Sequence, residues 1–205
     1  KPVYFGGSGK TGGEVLKNFF ERHRRLISWL VTVPMLVILF RTPINEGSPW
    51  SPVMEYGGFA MLIVAAVGRI WTSLFICNRK DTELVTDGPF SVCRNPLYLF
   101  SFIGAVGLML AAENPWLAAL MIPVFWGYYH YVIKGEERRL AGIFGPAYET
   151  YRKETPRLFP KLSNYRSRDS VQVTLPVMNR AILDASVFLV LILLVELLEQ
   201  FKLGI

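Results

Sequence analysis

Residues 84–100 read LVTDGPFSVCRNPLYLF, a polar turn that runs directly into an apolar run. Gly88-Pro89 is a turn signal, because proline fixes its own φ and glycine supplies backbone conformations that other residues avoid. Arg94 and Asn95 stand immediately before Pro96. Proline is well tolerated in the first turn of a helix, where its missing N–H would have had no partner. The order predicts Arg94 held at the mouth of a membrane helix. An isolated arginine there is a plain interfacial anchor that snorkels to headgroups, so its role depends on its surroundings.

Those surroundings are apolar. With 205 residues and 52% hydrophobic content, one domain of the membrane class is expected. Crossing about 30 Å of hydrocarbon takes roughly 20 apolar residues as a helix. Five stretches qualify, 26–40, 56–76, 97–112, 116–133 and 181–198, of which the first and third are short. The expected fold is an all-α integral membrane protein with about five transmembrane helices and a cytoplasmic helical cap. Its parts are a tail with an interfacial helix (1–25), four transmembrane helices (26–133), a polar cytoplasmic segment (134–180), and a fifth helix with its tail (181–205).

Charge sets the orientation, because Lys and Arg stay on the cytoplasmic side. Six basic residues precede the first span, three lie between spans two and three, and ten lie in 134–180. Only Arg41 and Lys202 fall on the other side. The amino terminus, the 84–95 turn and 134–180 are therefore expected to face the cytoplasm. The net charge of +6 then reflects orientation and contact with anionic lipid, not nucleic acid. Cys77 and Cys93 flank a cytoplasmic loop in a reducing compartment, where a structural disulfide is not expected. His23 and His130 are the only histidines, and no Cys or His spacing suggests a metal site.

The sequence GGSGKT at 6–11 fails as a phosphate loop, since the required earlier glycine position is Tyr4, and it reads as a flexible tail. Val15, Leu16, Phe19 and Phe20 share one face of an interfacial helix within 14–25. Arg69 sits inside the second span toward its cytoplasmic end; an arginine at the bilayer centre costs about 2.5 to 3.5 kcal/mol, so such residues usually pair or line a wet cavity. Only Glu113, Asn114 and Pro115 separate spans three and four, which forces antiparallel neighbours. Gly104 and Gly107 offer a close helix approach there. Trp126, Tyr128, Tyr129 and Tyr131 fit an interfacial aromatic belt. Glu136, Glu137, Leu140, Phe144, Tyr148 and Tyr151 recur at three- and four-residue steps, an amphipathic helix interrupted near Gly145-Pro146. Asp184, near the start of the last span, is assigned no role.

Together these pieces resemble a known superfamily. The 84–100 stretch is similar to the LVT-x-GPY-x-x-x-RHP-x-Y signature of the isoprenylcysteine carboxyl methyltransferases and the related phospholipid N-methyltransferases. The likeness extends to Arg69-Ile70-Trp71, to Glu136-Glu137-x-x-Leu140-x-x-x-Phe144-Gly145-x-x-Tyr148-x-x-Tyr151, and to Pro156 and Pro160. It covers about residues 56–160. Asn95 replaces the usual His and Phe90 the common Tyr, which puts two polar contacts in doubt.

The resemblance implies an integral-membrane enzyme that uses S-adenosylmethionine without a Rossmann sheet, with 134–180 as its catalytic segment and a membrane lipid or lipidated acceptor entering from the bilayer. It implies that Leu84, Val85, Gly88, Pro89 and Phe90 shape the adenosine side. Arg94, Asn95, Tyr98, Glu136 and Glu137 would hold the cofactor's polar end or the acceptor, Arg94 and Glu137 being the catalytic pair. Arg69 and Trp71 would meet the acceptor. Methyl transfer from a sulfonium is an in-line displacement accelerated mainly by positioning, and the sulfonium is favoured by aromatic faces such as Tyr98 or Tyr148. The cofactor's carboxylate needs a cation, which Arg94 supplies as a planar fork; orienting an acceptor carboxylate is its competing use.

The favoured acceptor is an isoprenylcysteine-type carboxylate. A phospholipid amine would need a base, for which Glu136, Glu137 or His130 are candidates, and a small thiol is a further alternative. Two other classes compete: a sterol-reductase-like enzyme using NADPH, with the basic residues between Arg152 and Arg168 taking its 2′-phosphate, and a non-catalytic lipid-binding scaffold.

Overall fold

A computed structural model describes residues 49–203. The GGSGKT stretch, the expected interfacial helix at 14–25 and the first expected span at 26–40 lie outside the described residues. Six α-helices follow one another: α1 (Ser51–Ile76), α2 (Pro89–Val92), α3 (Pro96–Ala111), α4 (Pro115–Phe144), α5 (Pro146–Glu154) and α6 (Leu175–Leu203). A 3-10 turn occupies Leu162–Asn164, and no strand occurs among the described residues.

Proline sets most of the starts. Helices α1 to α5 each carry proline in the first or second position, where a missing donor costs nothing and φ is already helical. The expected start at Pro96 is therefore met. So is the break near Gly145, whose φ of +53° ends α4 and hands the chain to α5. One boundary differs from expectation: α4 runs without interruption through residues 133 and 134 to Phe144. The polar segment's first eleven residues therefore belong to the helix that begins at Pro115.

α1 and α4, at 26 and 30 residues, are long and apolar enough to cross a membrane. α3 has 16 residues and reaches only about 24 Å. α6 is 29 residues long and leaves Leu183, Val187, Leu189 and Leu193 exposed. Val53, Ile63 and Val67 on α1 and Leu120 and Ile122 on α4 are exposed as well.

The closest packing joins α1 to α3. A Cβ placed on Gly58 would lie 2.2 Å from the Ala111 backbone nitrogen, and one on Gly107 would lie 2.8 Å from Met61 Cβ. Backbones approach this closely only where side chains are missing, so Gly107, singled out by the sequence, works with a glycine on the facing helix. Beyond the seam, Ser51 Oγ donates to the Glu113 carboxylate, and Asn114 caps α4 by accepting from Leu117 N at 3.0 Å. α3 meets α4 through rings: Tyr129 stacks on Phe125 at 4.1 Å and packs edge-on against Tyr98 at 4.9 Å. Trp126 and Tyr131 are exposed. The expected aromatic belt is thus split, with Tyr129 inside the helix seam and Trp126 and Tyr131 outside it.

Replacement of Gly58 by Leu is expected to destabilise the detergent-solubilised protein by about 3 kcal/mol or more, since an overpacked backbone contact cannot relax by a rotamer change. Gly57, with nothing within 4 Å of its would-be Cβ, tolerates Ala and gains about 0.5 kcal/mol of helix propensity. Thermal unfolding of the two variants checks both.

Candidate active site

The turn that reads as polar in the sequence is almost wholly buried. Val85, and every residue from Asp87 to Cys93, have little or no exposure. Gly88 makes this possible: its φ is +57°, and a Cβ there would lie 2.3 Å from the Phe75 ring. Both the conformation and the close approach require glycine.

Burying this much backbone demands partners, and the segment 155–168 supplies them as a strap. Arg94 N donates to Pro156 O at 2.9 Å, Lys161 N to Val92 O at 2.9 Å and Gly88 N to Arg166 O at 2.6 Å. Asn95 Nδ2 donates to Arg157 O at 3.1 Å, so the residue before Pro96 uses its amide to hold the strap and makes no side-chain cap on α3. Ser91 Oγ donates to Gly88 O and accepts from Arg166 N. From α5, Tyr151 Oη donates to Phe90 O at 2.7 Å.

Under the strap lies a buried charge cluster. Arg94 Nη2 is 3.3 Å from Glu137 Oε1, and Arg157 Nη2 is 3.2 Å from Glu137 Oε2. The Arg94 and Glu137 side chains are only 11% and 14% exposed. Nε and Nη1 of Arg94, Nε of Arg157 and Oε1 of Glu137 are buried without a hydrogen-bond partner. Unmet donors on buried guanidiniums are costly, on the order of 1–3 kcal/mol each, and they define a place where a polar ligand gains. The cluster holds two positive groups and one negative. Tyr148 is fully buried beside it; burial pushes its phenol up to about 12, with Glu137 adding to the shift and Arg94 opposing it.

A cleft of about 400 Å³ is lined by Leu84, Thr86, Ser91, Tyr151, Glu154 and Arg166 among others, and the Tyr151 ring that lines it lies 6.0 Å from that of Tyr148. Its walls carry hydroxyls, an amide and a carboxylate among a larger share of apolar surface. The orphaned donors of the cluster and the hydroxyl-rich cleft together fit a ligand with a zwitterionic amino-acid end and a nucleoside end.

A second ion network fastens the loop before the turn. Arg79 donates to Glu83 and to Asp87, at 2.9–3.2 Å. Arg168 in the strap pairs with both carboxylates. The hydrogen bonds from Arg79 and then Arg168 hold the Glu83 carboxyl at about 2.

Of the residues marked by the sequence, Arg94, Glu137 and Tyr148 come together, and Leu84 lines the neighbouring cleft. Val85, Gly88, Pro89, Phe90 and Asn95 form the buried turn beneath them. Glu136 turns away to Arg139 at 2.7 Å, which in turn pairs with Asp81. Tyr98 lies in the α3–α4 ring seam. Arg69 Nη1 donates to Ser101 Oγ at 2.7 Å and its guanidinium sits over Phe188, which ties α1, α3 and α6. Trp71 packs against Tyr165 of the strap. His130 is exposed on α4. Sequence reasoning missed Arg157; its only signal was a cation between two prolines in ETPRLFP. Of the cations considered for a cofactor phosphate, Arg152, Arg157, Arg166 and Arg168 each face a carboxylate, and Lys153 and Lys161 are exposed.

Over the described residues the protein is helical, with exposed apolar helices, two of them long and apolar enough to cross a membrane, and a strapped polar site at one end of α3. The family model described as phospholipid methyltransferase matches residues 57–147. The chain is 37% identical to the nickel-cobalt-cadmium resistance protein NccN of Alcaligenes xylosoxydans xylosoxydans, over 90% of this chain and 86% of that one. It is 37% identical to the cobalt-zinc-cadmium resistance protein CzcN of Cupriavidus metallidurans, over 91% and 86%. With the protein-S-isoprenylcysteine O-methyltransferase of Schizosaccharomyces pombe it shares 38% identity over 40% of this chain and 34% of that one. No solved structure matches. The chain belongs to the superfamily of isoprenylcysteine carboxyl methyltransferases and phospholipid methyltransferases.

Two outcomes follow from the ionisable groups. Because the folded Glu83 carboxyl is held below its ordinary value of 4.5, its contribution is full above pH 4.5 and is lost as pH falls toward 2. Glu83→Gln is expected to flatten the fall in melting temperature over that window. Cys93 is fully buried and its thiol is pushed up to about 11 by burial, and Cys77 is buried too. Maleimide at pH 7.5 is expected to leave both thiols unmodified until denaturant is added, as read by mass spectrometry.

Proposed function

We propose that the chain is an S-adenosylmethionine-dependent methyltransferase acting on a lipid-like acceptor, with an isoprenylcysteine-type carboxylate as the favoured substrate. The carrying observation is the buried Arg94–Glu137–Arg157 cluster with its unmet donors. Two guanidiniums and one carboxylate complement the carboxylate and ammonium of an amino-acid moiety. Arg94 and Arg157 would bind the carboxylate bidentately, Glu137 would accept from the ammonium, and Tyr148 would offer a ring face to a nearby cation. The cleft beyond Tyr151 would take the nucleoside end, with Leu84 against the base and Glu154 accepting from the ribose hydroxyls. S-adenosylmethionine held there supplies an electrophilic methyl on a sulfonium.

The protein's share of the chemistry is then positioning and exclusion of water. A carboxylate acceptor is already ionised at neutral pH and asks for no base. An amine acceptor would need one, yet Glu136 is paired with Arg139, His130 is exposed on α4 and Glu137 is shared by two guanidiniums. These placements favour the carboxylate over phosphatidylethanolamine or a small thiol. Arg69, whose Nε is buried without a partner, and Trp71 are the proposed contacts for an acceptor arriving from the bilayer. By the asymmetry of basic residues, the site, the amino terminus and 134–180 would face the cytoplasm, and 26–40, α1, α3, α4 and α6 would be the five spans. Two relatives carry metal-resistance names. Under the present reading, such a role would be served through methylation of a membrane constituent.

Calorimetric titration of detergent-purified protein with S-adenosylhomocysteine and, separately, NADPH tests the reading. Micromolar binding of S-adenosylhomocysteine is expected, weakened about 30-fold or more in Arg94→Ala, since removing one partner of a buried charge pair costs about 2 kcal/mol or more. Binding of NADPH alone would overturn it. Labelled methyl appearing in N-acetyl-farnesylcysteine fixes the acceptor; its appearance in phosphatidylethanolamine instead would assign the amine.

A further inference from the structure

The strap has an outer face as well as an inner one. Phe159 and Leu162 are each 76% exposed, and Tyr165 is exposed beyond them. The three recur every third residue around the 3-10 turn at Leu162–Asn164. Three large apolar groups in one exposed row do not suit a loop in free water. Around them stand exposed cations: Lys161 and Arg166 in the strap, Arg152 and Lys153 at the end of α5. Glu154, 4.0 Å from Arg166, Glu149, 3.0 Å from Arg152, and the exposed Asp169 are the acidic groups nearby in sequence.

The height of the strap on the bundle names the partner. Tyr165 packs on Trp71, which lies within α1. Thr174 Oγ1 lies 3.8 Å from Cys77 Sγ, at the end of the same helix, and α6 begins one residue later with an exposed Leu175. Tyr165, the last of the three, is therefore level with the closing turns of α1, the helix end beside which α6 begins. Aromatic and apolar groups among lysines and arginines at that level match the boundary between acyl chains and anionic headgroups.

We propose that the strap is an interfacial anchor, with Phe159 and Leu162 seated among the acyl chains of the leaflet at that end of the bundle and Lys161 and Arg166 against anionic headgroups. Lipid contact thereby bears on the segment whose inner face holds Arg94, Asn95 and Gly88. The inference goes beyond the proposed reaction and does not rest on it. It rests on the membrane location alone.

The test is site-directed spin labelling in vesicles of phosphatidylcholine with one third phosphatidylglycerol. The protein contains only Cys77 and Cys93, both buried, so an unsubstituted control reports background labelling. Nitroxides are placed at Phe159→Cys and, separately, at Leu162→Cys, with Ser167→Cys as a site outside the row. Collision with oxygen exceeding collision with a water-soluble nickel chelate by about fivefold or more is expected at 159 and 162 and not at 167. Nickel-dominated collision at both 159 and 162 would place the row in water and overturn the proposal. Protection from both reagents would also overturn it, by showing a protein surface, such as a second copy, in place of lipid. A collision ratio at 159 that falls when phosphatidylglycerol is omitted supports the role of the cations.

Discussion

One carboxylate shared by two guanidiniums, with Arg94 and Glu137 largely enclosed and Arg157 partly so, is the constraint on which the polar end of this protein depends. The three residues come from distant parts of the chain: Arg94 from the turn before α3, Glu137 from the far part of α4 and Arg157 from the strap. Removing any one strands the others in a poorly solvating place, which costs more than the pair contributes when intact. The backbone bonds from the strap to residues 88–95 hold those two segments in register, so Arg94 and Arg157 are placed by main-chain geometry as well as by charge. A ligand able to meet the remaining donors finds them already oriented.

Much of this was legible in the residues. Proline before an apolar run placed the start of α3, Gly145 placed the break after α4, and Gly107 pointed to the helix seam. Arg94 and Glu137 were picked out by resemblance and do meet. What escaped was set by tertiary register. Glu136 and Glu137 look equivalent in sequence, yet adjacent residues on a helix point about 100° apart, and only the neighbour's position decides that one faces Arg94 and the other Arg139. Burial was not legible either: the stretch from Asp87 to Asn95 has turn chemistry, and it is the hydrogen bonds supplied by the strap that let it be enclosed. Arg157 carried no periodic signal, because its position follows from two prolines that stiffen the path of the strap.

The division of labour between the two ends of the bundle is equally physical. Apolar surface with little directional chemistry surrounds α1, α4 and α6, and small residues let α1 and α3 approach. Polar groups that cannot face lipid unpaired are gathered at the end where residues 77–95 and the strap meet. The superfamily likeness covers that end and the helices that carry it.

The unbroken helix from Pro115 to Phe144 sets how this chain can vary in length. One residue added between Tyr131 and Glu137 would turn Glu137 by about 100° and shift it by about 1.5 Å, taking the carboxylate off both arginines at once. An addition between Asp169 and Thr174, where the chain is exposed and lies outside any helix, would be taken up by the loop. The spacing between the apolar part of α4 and its carboxylate is therefore a fixed count, whereas the distance along the chain from the strap to the last helix is free to drift.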